Sequence, residues 1–125
     1  MQAALVIDDN RSTADALSQM LAILGVPARV AYGSSPALAI LRGFTPSLVT
    51  LDLNMPGLDG TEILLYLKRE PRLTHVPVIV VTSDDQTETQ RRVLAVGAAA
   101  VIVKPATVNI LEETLKKVGI LLSPK

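Results

Sequence analysis

The chain has 125 residues, room for one domain with a real core. Twelve basic residues balance twelve acidic ones, so no bulk charge is present to grip nucleic acid, and a hydrophobic content of 49% excludes a disordered chain. The lack of cysteine excludes a disulfide frame, a thiolate metal site and a cysteine nucleophile, while no apolar run reaches the ~18 residues that a membrane helix needs.

Ala4-Leu5-Val6-Ile7 is a continuous apolar run stopped by Asp8-Asp9, which predicts a buried first strand. No signal-peptide pattern precedes it, so a cytoplasmic location is expected. From Ser12 to Leu24 the apolar residues Ala14, Leu17, Leu21 and Leu24 recur at helical spacing, and Gly25 follows where a helix end favours glycine. Ala28 to Ala31 reads as a second strand. Ser35-Pro36 predicts a cap followed by proline in the first helical position, for a helix to about Arg42 that ends at Gly43. Leu48 to Leu51 is a third strand ending at Asp52. Asn54-Met55-Pro56-Gly57 is turn chemistry, and Asp59 with Glu62 predicts a capping box for a helix ending near Arg69. Val78 to Val81 is a strand ending at Thr82. Thr87 to Val96 is a helix closed by Gly97. Ala100 to Val103 is a fifth strand ending at Lys104-Pro105, and a last helix is expected from about Thr107 to Leu121, with Gly119 as a breaker.

Strands that alternate with helices imply parallel pairing through crossovers, and strands apolar on both faces imply a sheet covered on both sides. The expectation is a single doubly wound α/β domain over residues 1–125, with 122–125 as a tail or the start of a linker. In such a sheet, ligands bind beyond the carboxyl ends of the strands. Asp8 and Asp9 stand there after the first strand, Asp52 after the third, Thr82 after the fourth and Lys104 after the fifth. Each alone reads as a cap, a loop residue or a surface lysine. Together they are three carboxylates, a hydroxyl and an ammonium on one edge. Crowded carboxylates without histidine or cysteine suit Mg²⁺, and the added cation and hydroxyl suit a phosphoryl group. His75 is expected in an exposed loop with no role at this edge.

The motifs Val6-Ile7-Asp8-Asp9-Asn10, Leu51 to Gly60, Val80-Val81-Thr82-Ser83 and Val103-Lys104-Pro105 resemble the receiver domains of bacterial response regulators, across essentially the whole chain. The block from Asp52 through Met55-Pro56 to Asp59-Gly60 is the most specific of these. The resemblance implies a flavodoxin-like (βα)5 fold with strand order 2-1-3-4-5. It implies that Asp52 accepts a phosphoryl group from a sensor histidine kinase or phosphotransfer protein, as a phosphorylation-controlled switch. The protein would then be an acceptor with slow self-dephosphorylation, not an enzyme. By the same resemblance Asp9 holds Mg²⁺ directly, Asp8 does so directly or through water, and Asp52 and the backbone carbonyl of Asn54 complete the protein ligands. Thr82 and Lys104 would contact the phosphoryl group, and the Lys104–Pro105 bond would be cis. Asn54 and Asp84 occupy positions that tune dephosphorylation in the family. An output domain or downstream protein is implied, with no direct nucleic-acid or membrane contact.

One departure stands out: Val101 occupies a position that is usually aromatic in the family, so the usual readout by a swinging ring is unavailable. This keeps open a receiver that docks partners constitutively. A phosphatase of the haloacid dehalogenase type is a further alternative, but it wants its nucleophile within Asp-x-Asp on an early strand, and Asp52-Leu53-Asn54 is neither. A flavin or nucleotide binder lacks its glycine-rich loop here, and aromatics are only 2% of the chain. Val93, Val96, Val101, Ile110 and Leu111 could serve a homodimer, although core positions are the expected reading.

Overall fold

In the computed structural model, residues 3–57, 59–120 and 122 are described. Five strands alternate with five helices: β1 (Ala4–Ile7), α1 (Arg11–Ile23), β2 (Ala28–Ala31), α2 (Ser34–Leu41), β3 (Val49–Leu51), α3 (Gly60–Arg69), β4 (Val78–Thr82), α4 (Thr87–Val96), β5 (Ala100–Val103) and α5 (Val108–Lys117). The strands form one parallel sheet in the order β2-β1-β3-β4-β5, as expected for a flavodoxin-like fold. Successive strand residues point to opposite faces, and the core divides accordingly. Leu5, Ile7, Val49, Leu51, Val78 and Val80 pack with α2, α3 and α4, through residues such as Leu41, Ile63, Leu64, Leu67 and Val93. Ala4, Val6, Ile79, Val81 and Ile102 pack on the other face with α1 and α5, through Leu17, Leu21, Leu111 and Leu115.

Several element ends depart from expectation. Helix α2 starts at Ser34 behind Gly33, not at a Ser35 cap. Gly33 has φ +139°, a conformation that L side chains rarely adopt, so the backbone rather than a hydroxyl turns the chain into the helix. Pro36 then falls in the third helical position, where its missing N–H still costs nothing because the first four are unpaired anyway. Helix α5 stops at Lys117, short of Leu121, where Gly119 turns the chain with φ +85°. Leu121 itself and the expected tail at Ser123, Pro124 and Lys125 lie outside the described residues. Among the five apolar residues weighed for the core, Val93 and Leu111 are fully buried and Val96 and Val101 pack partly against it. Ile110 differs: it is 43% exposed, because one residue of helical rotation separates it from the buried Leu111.

Thr50, in the middle of β3, is 1% exposed, and its hydroxyl has no hydrogen-bond partner. A buried hydroxyl without a partner carries a desolvation cost, and valine has nearly the same shape. Thr50→Val is therefore expected to raise stability by about 1 kcal/mol, read as a higher urea midpoint at unchanged slope. An unchanged or lower midpoint would show that the hydroxyl is satisfied in solution.

Candidate functional site

The carboxyl ends of β1, β3, β4 and β5 lie side by side because these strands are neighbours in one parallel sheet. Asp8 follows β1 and is 1% exposed, Asp52 follows β3 and is 6% exposed, and Thr82 ends β4 fully buried. Asp9 projects into solvent. One carboxylate oxygen from each of Asp8, Asp9 and Asp52 lies within 4.8 Å of the other two. The structure thus brings together the three acids that the sequence placed at this edge.

Local backbone geometry fixes their aim. Asp8 Oδ1 accepts the Asn10 N–H at 3.0 Å, and Asp52 Oδ1 accepts the Asn54 N–H at 3.2 Å. Each is a short Asp-anchored turn that leaves the second oxygen free. Asn10 in turn caps α1 by accepting the Thr13 N–H, and Asp59 caps α3 by accepting the Glu62 N–H. The free oxygens face Lys104, whose Nζ lies 2.9 Å from Asp8 Oδ2 and 3.4 Å from Asp52 Oδ2. The Lys104–Pro105 peptide is cis, as expected. The shorter contact is to Asp8, a partner that the sequence did not single out for the lysine. Thr82 Oγ1 accepts the Asp84 N–H at 3.2 Å and makes no bond to the three acids. His75 is exposed in the turn before β4, on the amino side of that strand and away from the carboxyl ends.

Electrostatics at the edge are unbalanced. Burial pushes the Asp52 carboxyl above its ordinary range and the Asp8 charge adds to this, although the Asn54 N–H and Lys104 pull the other way. Burial also pulls the Lys104 ammonium down, but its hydrogen bond to Asp8 and the charges of Asp52 and Asp8 outweigh it and hold the ammonium above its ordinary range. One ammonium faces three carboxylates, which leaves about two negative charges unneutralised. All of the donors are hard oxygens, and a small divalent cation fits both their type and their spacing.

Two hollows flank the acids. One of about 520 Å³ lies between α1 and the Lys104–Ala106 loop, with Leu17, Met20, Val81 and Lys104 in its walls. The other, of about 360 Å³, lies between the loop after β3 and α4, with Asn54, Asp59, Thr61, Asp84 and Arg92 in its walls. The sequence reading missed Arg92. It lies on the fourth helix in a run of charged residues, and periodicity alone carries no sign that it returns to the strand ends. The pair of Asp15 and Tyr32 was missed too: the tyrosine hydroxyl donates to Asp15 Oδ1 at 2.6 Å while the Arg11 guanidinium sits 4.1 Å from the ring centre. A hydrogen bond across 17 residues has no local signature.

A parallel five-stranded sheet with an acidic, lysine-bearing pocket at its carboxyl edge is the architecture that the comparisons with known proteins share. Residues 4–116 match the response regulator receiver domain, and the chain belongs to that family. It is 36% identical over 114 residues to the probable transcriptional regulator ycf27 of Porphyridium aerugineum, covering 91% of this chain and 46% of that protein. The chain thus spans about half the length of the curated relatives that it matches at this level. The solved structure of chemotaxis protein CheY4 of Vibrio cholerae superposes with a TM-score of 0.87 at 27% identity, covering 94% of this chain and 98% of the other. A response regulator protein from Burkholderia pseudomallei, solved with a phosphorylated aspartic acid, a calcium ion and citrate, superposes with a TM-score of 0.82 at 25% identity, over 92% of this chain and 66% of that one. Among the described residues, no helix is long and apolar enough to cross a membrane.

Proposed function

We propose that this receiver domain accepts a phosphoryl group on Asp52 from a phosphohistidine of a sensor histidine kinase or phosphotransfer protein, and that the modified state is what an output domain or downstream protein reads. The observation that carries the reading is the position of the Asp52 carboxylate: it is nearly buried, held by the Asn54 N–H, and clustered with Asp8, Asp9 and the Lys104 ammonium. The Burkholderia pseudomallei relative, with its phosphorylated aspartic acid, supports the same chemistry on the same fold.

In the transfer, an Asp52 oxygen forms the new P–O bond while the P–N bond to the donor imidazole breaks, and the nitrogen leaves with the electron pair. The Asn54 N–H orients the nucleophile. Lys104 is placed to bond the incoming phosphoryl oxygens once it lets go of an acid, and Thr82 is placed to donate its hydroxyl from the next strand. Asp8, Asp9, Asp52 and the Asn54 carbonyl would hold Mg²⁺, which when bound neutralises charge on the phosphoryl oxygens. The domain does not turn over many substrates in this role, and its self-dephosphorylation is expected to be slow. A cytoplasmic setting fits a kinase partner.

Asp9 is exposed, and among the described residues it forms no ion pair with a cation. Asp9→Ala is accordingly expected to weaken Mg²⁺ binding about tenfold or more, with the melting temperature of the metal-free domain not lowered, since one of three crowded like charges is removed. Titration of the domain with MgCl₂ reads this, and equal affinity in both proteins would move the metal elsewhere. The direct test of the function is intact mass after incubation with acetyl phosphate and Mg²⁺. One phosphoryl adduct, labile to acid and hydroxylamine, is expected. A hydroxylamine-stable adduct would contradict an acyl phosphate. No adduct, with either a small donor or a kinase, would favour a receiver that docks partners constitutively. Steady turnover of a phosphate ester would instead favour a phosphatase of the haloacid dehalogenase type.

A further inference from the structure

Arg11 brings a second cation to the acidic edge without pairing with it. The Asp8 N–H donates to the Ala31 carbonyl at 3.1 Å, so Tyr32, the next residue of that chain, stands beside Asp8 where the sheet ends. Arg11 opens α1 two residues beyond Asp9, and the turn at Asp8 and the Asn10 cap fix where the helix begins. Arg11 and Asp9 are both exposed and carry opposite charges. Among the described residues, however, neither forms an ion pair. The guanidinium lies over the Tyr32 ring instead, 4.1 Å from its centre. Nor does Arg11 pair with Asp15, one turn further along α1, where an opposite charge is a natural helical neighbour. Asp15 accepts the Tyr32 hydroxyl at 2.6 Å, which fixes the ring on which the guanidinium rests.

We propose that Tyr32 and Asp15 are positioning residues that park the Arg11 guanidinium on the tyrosine ring, so that the Asp9 carboxylate beside Asp8 and Asp52 stays open to a divalent cation. The proposal rests on the reading of these acids as the Mg²⁺ site. Lys104 offsets part of their charge from the side of β5. A guanidinium swung onto Asp9 would offset more of it and would occupy the oxygens that a cation needs, since its planar fork of donors matches a carboxylate. Mg²⁺ would then have to displace the arginine, and its affinity would fall in proportion to the time that the acid is free. The ring face removes that competitor. Attraction of a guanidinium to an exposed aromatic face is of the same size as an exposed ion pair, so the stack holds its own against Asp9. Parked there, the cation acts on the metal site only through its longer-range field, which water and salt weaken.

The experiment is a double-mutant cycle on Mg²⁺ affinity, read by titrating the whole chain with MgCl₂ at low ionic strength and following backbone amide NMR shifts. Tyr32→Leu together with Asp15→Asn removes both the ring and its anchor, and leaves Asp9 as the near partner for the arginine. This pair of changes is expected to weaken Mg²⁺ binding about fourfold, the strength of one exposed cation–π contact. Made in an Arg11→Gln chain, the same pair should cost less than about 1.5-fold, because no arginine is left to release. Added salt should shrink the loss in the first chain. The Arg11 Nε–H resonance gives a second reading without metal: the ring should shift it upfield in the wild type, and Tyr32→Leu should return it to the position of a solvated arginine. Equal losses with and without Arg11 would mean that Tyr32 and Asp15 act through shape or through their own charge, and would overturn the proposal, as would no loss in either chain. A wild-type resonance already at the solvated position would overturn it too. Wild type without a saturable response to MgCl₂ would overturn the metal reading itself, an outcome told apart from the others by the one unmutated sample.

Discussion

A Gly60→Ala chain is expected to lose about 3 kcal/mol or more of stability, together with most of its phosphoryl uptake. Gly60 opens α3, and its N–H donates to the Leu53 carbonyl at 3.0 Å, which draws the helix start against the end of β3. A Cβ at this position would lie 2.3 Å from the Asp52 carbonyl oxygen and 2.5 Å from the Leu53 Cα. Both neighbours are backbone, so no side chain can rotate away. The strand end must move, and it carries Asp52, the proposed acceptor. Gly43 is the control: a Cβ there meets nothing within 4 Å, and Gly43→Ala should be neutral or stabilising by about 0.5 kcal/mol. Urea unfolding of the two variants checks both. Equal midpoints would refute the close approach at Gly60.

Asp52→Asn is expected to take up no phosphoryl group and, without metal, to melt at a higher temperature than the wild type. The first effect follows from losing the nucleophilic carboxylate, and persistent labelling of the variant would place the acceptor elsewhere. The second follows from charge. With Asp52 made neutral, Lys104 keeps its 2.9 Å partner Asp8 and the crowding of like charges falls. The gain is on the order of 1 kcal/mol, because Lys104 already offsets part of the repulsion. The pH dependence has a definite sign. Burial holds the Asp52 carboxyl above its ordinary value, so the folded chain binds that proton more tightly than the unfolded chain does. The wild type should therefore lose stability as pH rises from about 4 through the folded value, and keep the whole penalty above it. The amide variant has no such loss. Melting curves of both proteins across that range, in chelator, would show a widening gap. A gap that stays constant would assign the stabilisation to something other than this carboxyl.

The strand ends were legible because a buried parallel strand is a continuous apolar run, and the first polar residue after it must mark the sheet edge. Asp8, Asp52, Thr82 and Lys104 were all found in this way; parallel pairing put them on one edge, and their adjacency came from the strand order that the family resemblance implies. Contacts that depend on distant residues were not legible. Arg72 donates to Thr45 Oγ1 at 2.7 Å and to the carbonyls of Phe44 and Leu41, from as far as 31 residues away, and so closes the end of α2. Nothing local distinguishes it from a solvated arginine. The preference of Lys104 for Asp8 is likewise a matter of a few tenths of an ångström, set by packing. The start of α2 was misread because two serines and a proline give a strong capping pattern, whereas the structure uses the backbone freedom of Gly33.

The acceptor edge also has a long reach along the chain. Lys104 meets Asp8 across 96 residues and Asp52 across 52. No two neighbouring strands are joined by a hairpin, since every pairing in the sheet is parallel and needs a crossover. Chemistry at Asp52 is thus tied to completion of folding rather than to any local segment. A chain whose fifth strand has not docked holds its carboxylates without the lysine that offsets them, and it gains nothing from assembling the edge early.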